Sequence, residues 1–270
     1  MLRVATYNVR GLRDDRRALV RVIRALRPDV LCLQEAPRLP GWRRERRTLA
    51  RAAGLSVAAG GRVGGTAVLI APAVRLLRGR GHRLRWFAGL EWRSVALAVV
   101  EKDRERYAVC SAHLDLLAAA RLSHAAQIVP LLERAAREFG AAPVLAGDLN
   151  EAPGAPVWRL LGGRYTDCFT AARGPAPATG SATGSKTAPE TRPIMGPITG
   201  LETAADGDAG RAGATFPARD PRVRIDAIFA GPDLTVVSYG GADVPPGDLA
   251  VASDHRPVVA EIAFTPSARA

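Results

Sequence analysis

With 270 residues, the chain can form one generous domain or two small ones around a substantial core. Its 47% hydrophobic and 24% charged residues exclude wholesale disorder, a collagen-like fibre and a coiled coil, and no apolar run approaches a membrane span. The formal net charge of +12 suits a polyanionic partner, or reflects the bias of an alanine-rich chain whose bases, save Lys102 and Lys186, are all arginine.

Met1-Leu2-Arg3-Val4 runs into apolar sequence without a signal-peptide layout, so a cytoplasmic location is expected. Leu2 to Thr6 is a short apolar run ending at Asn8, and Val30 to Leu33 is another, ending at Gln34 and Glu35. Runs of this length predict buried strands. Between them, Leu19, Val20, Ile23 and Leu26 recur at helical spacing before Pro28, which predicts a helix over 14–27 and an α/β beginning. Gly60 to Gly65 lacks the Lys-Ser/Thr of a phosphate loop and reads as a turn. Thr66 to Ile70, Val95 to Val100 and Tyr107 to Ala112 predict strands, partly antiparallel, with Glu101 to Arg106 as a charged hairpin tip. Ala118 to Phe139 predicts a helix that Pro130 should kink or divide. Val144 to Ala146, Val223 to Phe229, Leu234 to Tyr239 and Val258 to Phe264 complete the strands, and pairing resumes near Ala214-Thr215-Phe216. From 171 to 212 the chain is rich in Gly, Ala, Pro, Ser and Thr, and a mobile insertion within one domain (1–265) is expected, followed by a short tail at 266–270.

Cys32, Cys110 and Cys168 are too dispersed for a disulfide framework or a zinc site; Cys32 and Cys110 read as small core residues. Trp42, Trp86, Trp92 and Trp158 read as core or partly buried packing rather than base-stacking platforms, and His82 and His124 as surface residues.

The chemistry-bearing residues sit where apolar runs stop: Asn8, Glu35, His113, Asp148 and Asn150, joined by Asp226 and by Asp254-His255. Strand ends are where α/β proteins bind ligands. Carboxylates gathered there would repel one another unless a cation neutralised them. Their oxygens suit Mg²⁺ or Mn²⁺ better than zinc, and a hard cation with nearby His and Asp is the equipment of phosphoryl chemistry. At Asp226 two readings stand: a partner for His255, or a salt bridge to Arg224 or a neighbouring arginine.

Thr6-Tyr7-Asn8-Val9-Arg10-Gly11, Leu33-Gln34-Glu35, Ser111-Ala112-His113-Leu114, Gly147-Asp148-Leu149-Asn150, Arg224-Ile225-Asp226 and Ser253-Asp254-His255-Arg256-Pro257 occur in an order that resembles the endonuclease/exonuclease/phosphatase superfamily, the deoxyribonuclease I-like group, over residues 2–264. The resemblance implies a four-layer α/β sandwich, two mixed β-sheets face to face with helices outside. It implies Glu35 as principal ligand of Mg²⁺ or Mn²⁺, with Asn8 beside it and Asp254 completing the acidic set. By the same resemblance Asp148 activates the attacking water, Asn150 contacts phosphate and nucleophile, His255 contacts the scissile phosphate and is oriented by Asp226. His113 matches a second histidine that binds phosphate or acts as general acid, and Arg121 and Gln127 are supporting residues. Arg10 and His113 depart from the apurinic-site repair branch. The implied function is a divalent-metal-dependent phosphodiester hydrolase, a nuclease acting on nucleic acid as a monomer, or an enzyme using the same site on a phospholipid, phosphoinositide or small phosphate ester.

Overall fold

Alternation along the first strand sets the architecture. In β1 (Leu2–Asn8), Leu2, Val4, Thr6 and Asn8 face one way, and Ala5 and Tyr7 the other. Both faces are buried, because the strand lies between a second sheet and a helix layer. The computed structural model describes residues 1–174, 212–240 and 243–265.

The first sheet has the order β11-β12-β1-β2-β4-β3, with β2 (Val30–Gln34), β3 (Ser56–Gly60), β4 (Ala67–Ile70), β11 (Leu234–Tyr239) and β12 (Val258–Phe264). The second has the order β5-β6-β7-β8-β10-β9, with β5 (Arg75–Arg83), β6 (Ser94–Lys102), β7 (Glu105–His113), β8 (Ala142–Asp148), β9 (Thr166–Asp167) and β10 (Asp226–Ala230). Each sheet contains one parallel pair, β1/β2 and β7/β8, and is otherwise antiparallel. The sheets close on a core that includes Val4, Val30, Cys32, Val68, Val100, Val109, Val144 and Ile228.

A helix crosses each parallel pair. α1 (Arg16–Leu26) covers the first sheet with Leu19, Val22, Ile23 and Leu26, and the Asp15 carboxylate caps it by accepting from the amides of Arg17 and Ala18. α3 (Ala118–Phe139) covers the second with Ala125, Ile128, Val129 and Leu132. The result is the expected four-layer α/β sandwich.

Several expectations are corrected. Pro130 neither ends nor divides α3; it lies on the exposed face, where the bond it denies the preceding turn is replaceable by water. α2 (Trp42–Ala52) and the edge strands β3 and β5 escape sequence periodicity because they carry few apolar residues. At Gly79 in β5 a Cβ would lie 1.9 Å from the Ala58 carbonyl, so the sheet edges meet only because that residue is glycine. The strand predicted over Val223 to Phe229 begins at Asp226, Val223 forming only an isolated bridge with Phe216. Ala171 to Arg173 close the helix α5 (Cys168–Arg173), while the rest of the expected insertion, from 175 to 211, lies outside the described residues, as does the tail at 266–270. His124 is buried rather than at the surface, while Trp86 and Trp92 are partly buried, at 45% and 50% exposed.

Candidate active site

The inward faces of the central strands change character at one common end. β1 reads Leu2, Val4, Thr6, Asn8; β2 reads Val30, Cys32, Gln34; β7 reads Tyr107, Val109, Ser111, His113; β8 reads Ala142, Val144, Ala146, Asp148. A polar layer separates apolar core from site. Thr6 Oγ1 donates to Gln34 Oε1 at 3.2 Å, Gln34 Nε2 to Ser111 Oγ at 3.1 Å, and Ser111 Oγ to the Leu33 carbonyl at 2.9 Å. This bridge ties the sheets together just below the catalytic level and satisfies groups that would be costly to bury alone.

Above it, donors converge on Asp148. Asn8 Nδ2 donates to Asp148 Oδ2 at 3.0 Å, while His113 Nε2 and His255 Nε2 lie 3.5 and 3.7 Å from that same oxygen. The Asn150 amide donates to Asp148 Oδ1 at 2.9 Å. His255 Nδ1 sits 2.9 Å from Asp226 Oδ2, and Arg224 instead forms a two-pronged pair with Asp167 at 3.0 and 2.8 Å. The salt-bridge alternative for Asp226 is thereby set aside. Asp148 is carried to this point by Gly147, whose Cβ, if present, would fall 2.0 Å from the Ala112 carbonyl on β7.

Asn8 Nδ2 also donates to Glu35 Oε1 at 3.3 Å, and its Oδ1 accepts from the Arg10 amide at 3.1 Å. Ser253 Oγ donates to the Asn8 carbonyl at 2.7 Å, bringing the Ser253-Asp254-His255 segment alongside β1. Asp254 is one-third exposed, and its carboxylate is paired with Arg10 Nε at 3.2 Å. Glu35 and Asn150 have φ of +49° and +50°, strained values for residues other than glycine, Glu35 directly after β2 and Asn150 in the turn that follows β8.

Burial shifts these groups' proton affinities in different directions. Burial, and next the neighbouring Asp226, push the Asp148 carboxyl far above the ordinary carboxylate range. His255 would be lowered by burial, but the Asp226 charge and hydrogen bond prevail and raise it to about 10. His113 is held neutral, first by burial and then by the cation of Arg93. The site thus pairs an imidazolium with a neutral imidazole around a carboxylate that readily takes up a proton.

A cleft of about 450 Å³ opens onto this cluster; Glu35, His113, Asp148, Asn150 and His255 line it, whereas Asn8 and Asp226 lie behind them. Gly64 and Gly65 of the glycine-rich turn also line it, with Arg13, Arg38 and Arg93 beside Glu45 and Glu91. Arg121 and Gln127 do not reach the cleft. Arg121 contacts Glu151 at 3.3 Å, and Gln127 accepts from the Arg85 amide at 2.9 Å. Sequence reading missed Arg46, which is 1% exposed and donates to the carbonyls of Pro37 and Thr66 at 2.9 and 3.3 Å, clamping two cleft-lining segments. Nothing in its arginine-rich surroundings marks it. Ser253 and Gln34, by contrast, stand inside motifs and were legible as neighbours of site residues.

Among the described residues, one group of titratable side chains has the spacing of a metal site: Asp148, Asp226 and His255, with ligand atoms within 4.8 Å of one another. No helix among the described residues is long and apolar enough to cross a membrane.

A histidine–carboxylate cluster thus lies at the strand ends of a four-layer sandwich, and the family to which the fold and sequence belong is one of hydrolases acting on phosphate esters. The chain belongs to the endonuclease/exonuclease/phosphatase family, whose profile matches residues 5–255. No curated protein matches by sequence. Solved structures are similar at low identity. A mannosyl-6-phosphatase of Bacteroides thetaiotaomicron superposes with a TM-score of 0.67 at 18% identity, covering 98% of this chain and 100% of that one. The human nocturnin catalytic domain with bound sulfate gives 0.66 at 16% identity, covering 98% and 94%. The 2′,3′-cyclic phosphatase ANGEL2 in complex with adenosine-2′,3′-vanadate gives 0.65 at 15% identity, covering 97% and 95%.

Proposed function

We propose that the protein cleaves phosphodiester bonds of nucleic acid with the help of Mg²⁺ or Mn²⁺. The observation that carries this reading is the environment of Asp148, a buried carboxylate at the floor of an arginine-rimmed cleft, with Asn8, His113 and His255 converging on one of its oxygens. Its raised proton affinity makes it a competent acceptor for the proton of an attacking water. His255, held as an imidazolium by Asp226, presents positive charge and an N–H where a phosphate oxygen gains charge. His113, neutral and adjacent, can donate to or accept from the departing group.

The donor chemistry fits a hard divalent cation. Glu35 lines the cleft, its carboxylate engaged by the Asn8 amide, and we assign it as the principal ligand of Mg²⁺ or Mn²⁺, with Asn8 and Asp254 as the further oxygen donors that the family resemblance implies. The Asp148–Asp226–His255 group is the weaker alternative, since the His255 imidazolium already supplies the positive charge between its carboxylates. When bound, such a cation neutralises phosphate charge and stabilises the developing oxyanion. Arg10, paired with Asp254, competes for that carboxylate.

Arg13, Arg38 and Arg93 at the cleft, within a chain of net charge +12, favour a polyanionic substrate. Leu39 and Leu116, 72% and 67% exposed and lining the same cleft, favour the second reading, a phospholipid whose headgroup phosphate enters the cleft. Incubation with single- and double-stranded DNA and RNA, and in parallel with phospholipid vesicles, each with Mg²⁺ or Mn²⁺, decides between them. EDTA-sensitive cleavage of a polynucleotide is expected; turnover of lipid alone would replace the nuclease reading.

A further inference from the structure

Trp86 and Trp92 are the most exposed tryptophans among the described residues, and they are also stacked, with centroids 5.5 Å apart and planes inclined by 17°. They project from a loop that is closed and anchored. The Leu84 amide donates to the Arg93 carbonyl at 3.0 Å across its neck, and the Trp86 indole N–H donates to the Leu90 carbonyl at 3.0 Å. Below, α3 holds the loop with side chains that enter no catalytic role. His124 Nε2 lies 2.9 Å from the Arg85 carbonyl, the Gln127 side chain accepts from the Arg85 amide, and Phe87 packs edge-on against His124. At the far end Arg93 and Asp115 form a buried pair at 3.5 Å. Leaving two indoles half in water forgoes hydrophobic stabilisation, yet the surrounding contacts fix their orientation.

The loop borders the site. Glu91 and Arg93 line the cleft, and Trp92 is bonded to both. We infer that the Trp86–Trp92 pair is a stacking platform for a nucleobase adjoining the scissile phosphodiester, an inference that rests on the nucleic-acid reading above. A planar, pre-oriented ring face is what a base requires and is indifferent to which base it meets. Acyl chains need apolar surface but no ring orientation. The indole N–H of Trp86 is already satisfied, so the platform offers stacking rather than hydrogen-bond selectivity, and it selects planarity without sequence.

The test compares the intact protein with its Trp86→Ala, Trp92→Ala and Trp92→Phe variants on a single-stranded oligonucleotide and on one of equal length carrying abasic positions. The wild type should show a lower KM for the base-bearing strand. Each alanine variant should raise that KM about tenfold and draw the ratio of the two KM values towards one, with Trp92→Phe retaining most of the preference. An equal change in both KM values, no change in either, or a loss confined to binding of phosphatidylserine vesicles would overturn the platform. Failure of the parent reading is separable, because tryptophan quenching by a thymidine dinucleotide requires no cleavage. Quenching that disappears in the Trp86→Ala/Trp92→Ala double variant supports the subsite even in a protein that cuts no polynucleotide, and its absence from the wild type counts against it.

Discussion

The two sheets carry the same device and put it to different uses. In each, a parallel pair joined by a crossover helix, β1/β2 beneath α1 and β7/β8 beneath α3, points its carboxyl ends at the cleft. Each pair ends in a residue with φ near +50°, Glu35 in one and Asn150 in the other. The first pair delivers Asn8 and the half-buried Glu35, oxygen donors beside the solvent-filled cleft. The second delivers His113 and Asp148, both at most 5% exposed and both with strongly altered proton affinity. Depth separates Glu35 from the others, Asn8 being as buried as Asp148: the proposed cation site needs an accessible ionised oxygen, whereas the proposed proton-transfer group gains its range from a poorly solvated setting.

This contrast can be broken first on the second sheet. Asp148→Asn removes the charge and the proton acceptor with almost no change of shape, its amide oxygen still accepting from one of Asn8 and Asn150, so turnover should fall by about 10² to 10⁴-fold with little change in substrate binding. Initial-rate kinetics beside equilibrium binding measure both; equal loss of the two would make Asp148 a structural residue. In the wild type, kcat/KM should rise with pH across the range in which Asp148 surrenders its proton, a range displaced upward from that of an ordinary carboxylate.

The first sheet should respond in metal affinity. Glu35→Gln keeps the shape and the Asn8 contact but loses the charge, and the Mn²⁺ concentration giving half-maximal activity should rise about tenfold or more. Calorimetric titration with Mn²⁺ checks the same shift without substrate. An unchanged midpoint would move the cation to the Asp148–Asp226–His255 group.

The smallest effect concerns stability. His255 has a folded-state pKa raised to about 10 by Asp226, so between its ordinary value and that one the folded protein holds a proton that the unfolded chain releases. The stabilisation from this pair is therefore complete below about pH 6.5 and fades as pH rises towards 10. In Asp226→Asn the His255 pKa should drop, and the part of the Tm decline from pH 7 to 10 that belongs to the pair should disappear. Thermal melts across that range, with the histidine signals followed by NMR, test it; parallel Tm profiles in both proteins would mean that the pair titrates elsewhere.

Much of the active site was legible because chemistry interrupts pattern. Apolar runs stopping at Asn8, Glu35, His113 and Asp148 mark strand ends, and a strand end in an α/β protein is where a site can form. The family resemblance implied that Asp226 orients His255, and the two side chains lie 2.9 Å apart. Arg46 was not legible, since a buried guanidinium that clamps two loops looks like any arginine in a chain full of them. Trp86 and Trp92 read only as core or partly buried packing, and their stacking on one another was not legible because a bulky aromatic in a short segment carries no information about which side of a loop it occupies. Asp254 was assigned to a cation, and only the folded chain reveals that Arg10 is its partner at 3.2 Å.

Local sequence by itself determined the central strands, the helix α1, the order of the motifs and hence the family, because a two- or 3.6-residue periodicity and its interruption are written along the chain. The tertiary structure decided that the two sheets repeat one another, that the side chains of residues 8, 113 and 255 meet at a single oxygen of Asp148, and that Asp148 and His255 are raised while His113 is lowered. Those outcomes depend on which strand faces which and on how much water is removed between them. Neither sheet pairing over such separations nor the local dielectric is encoded in any one segment.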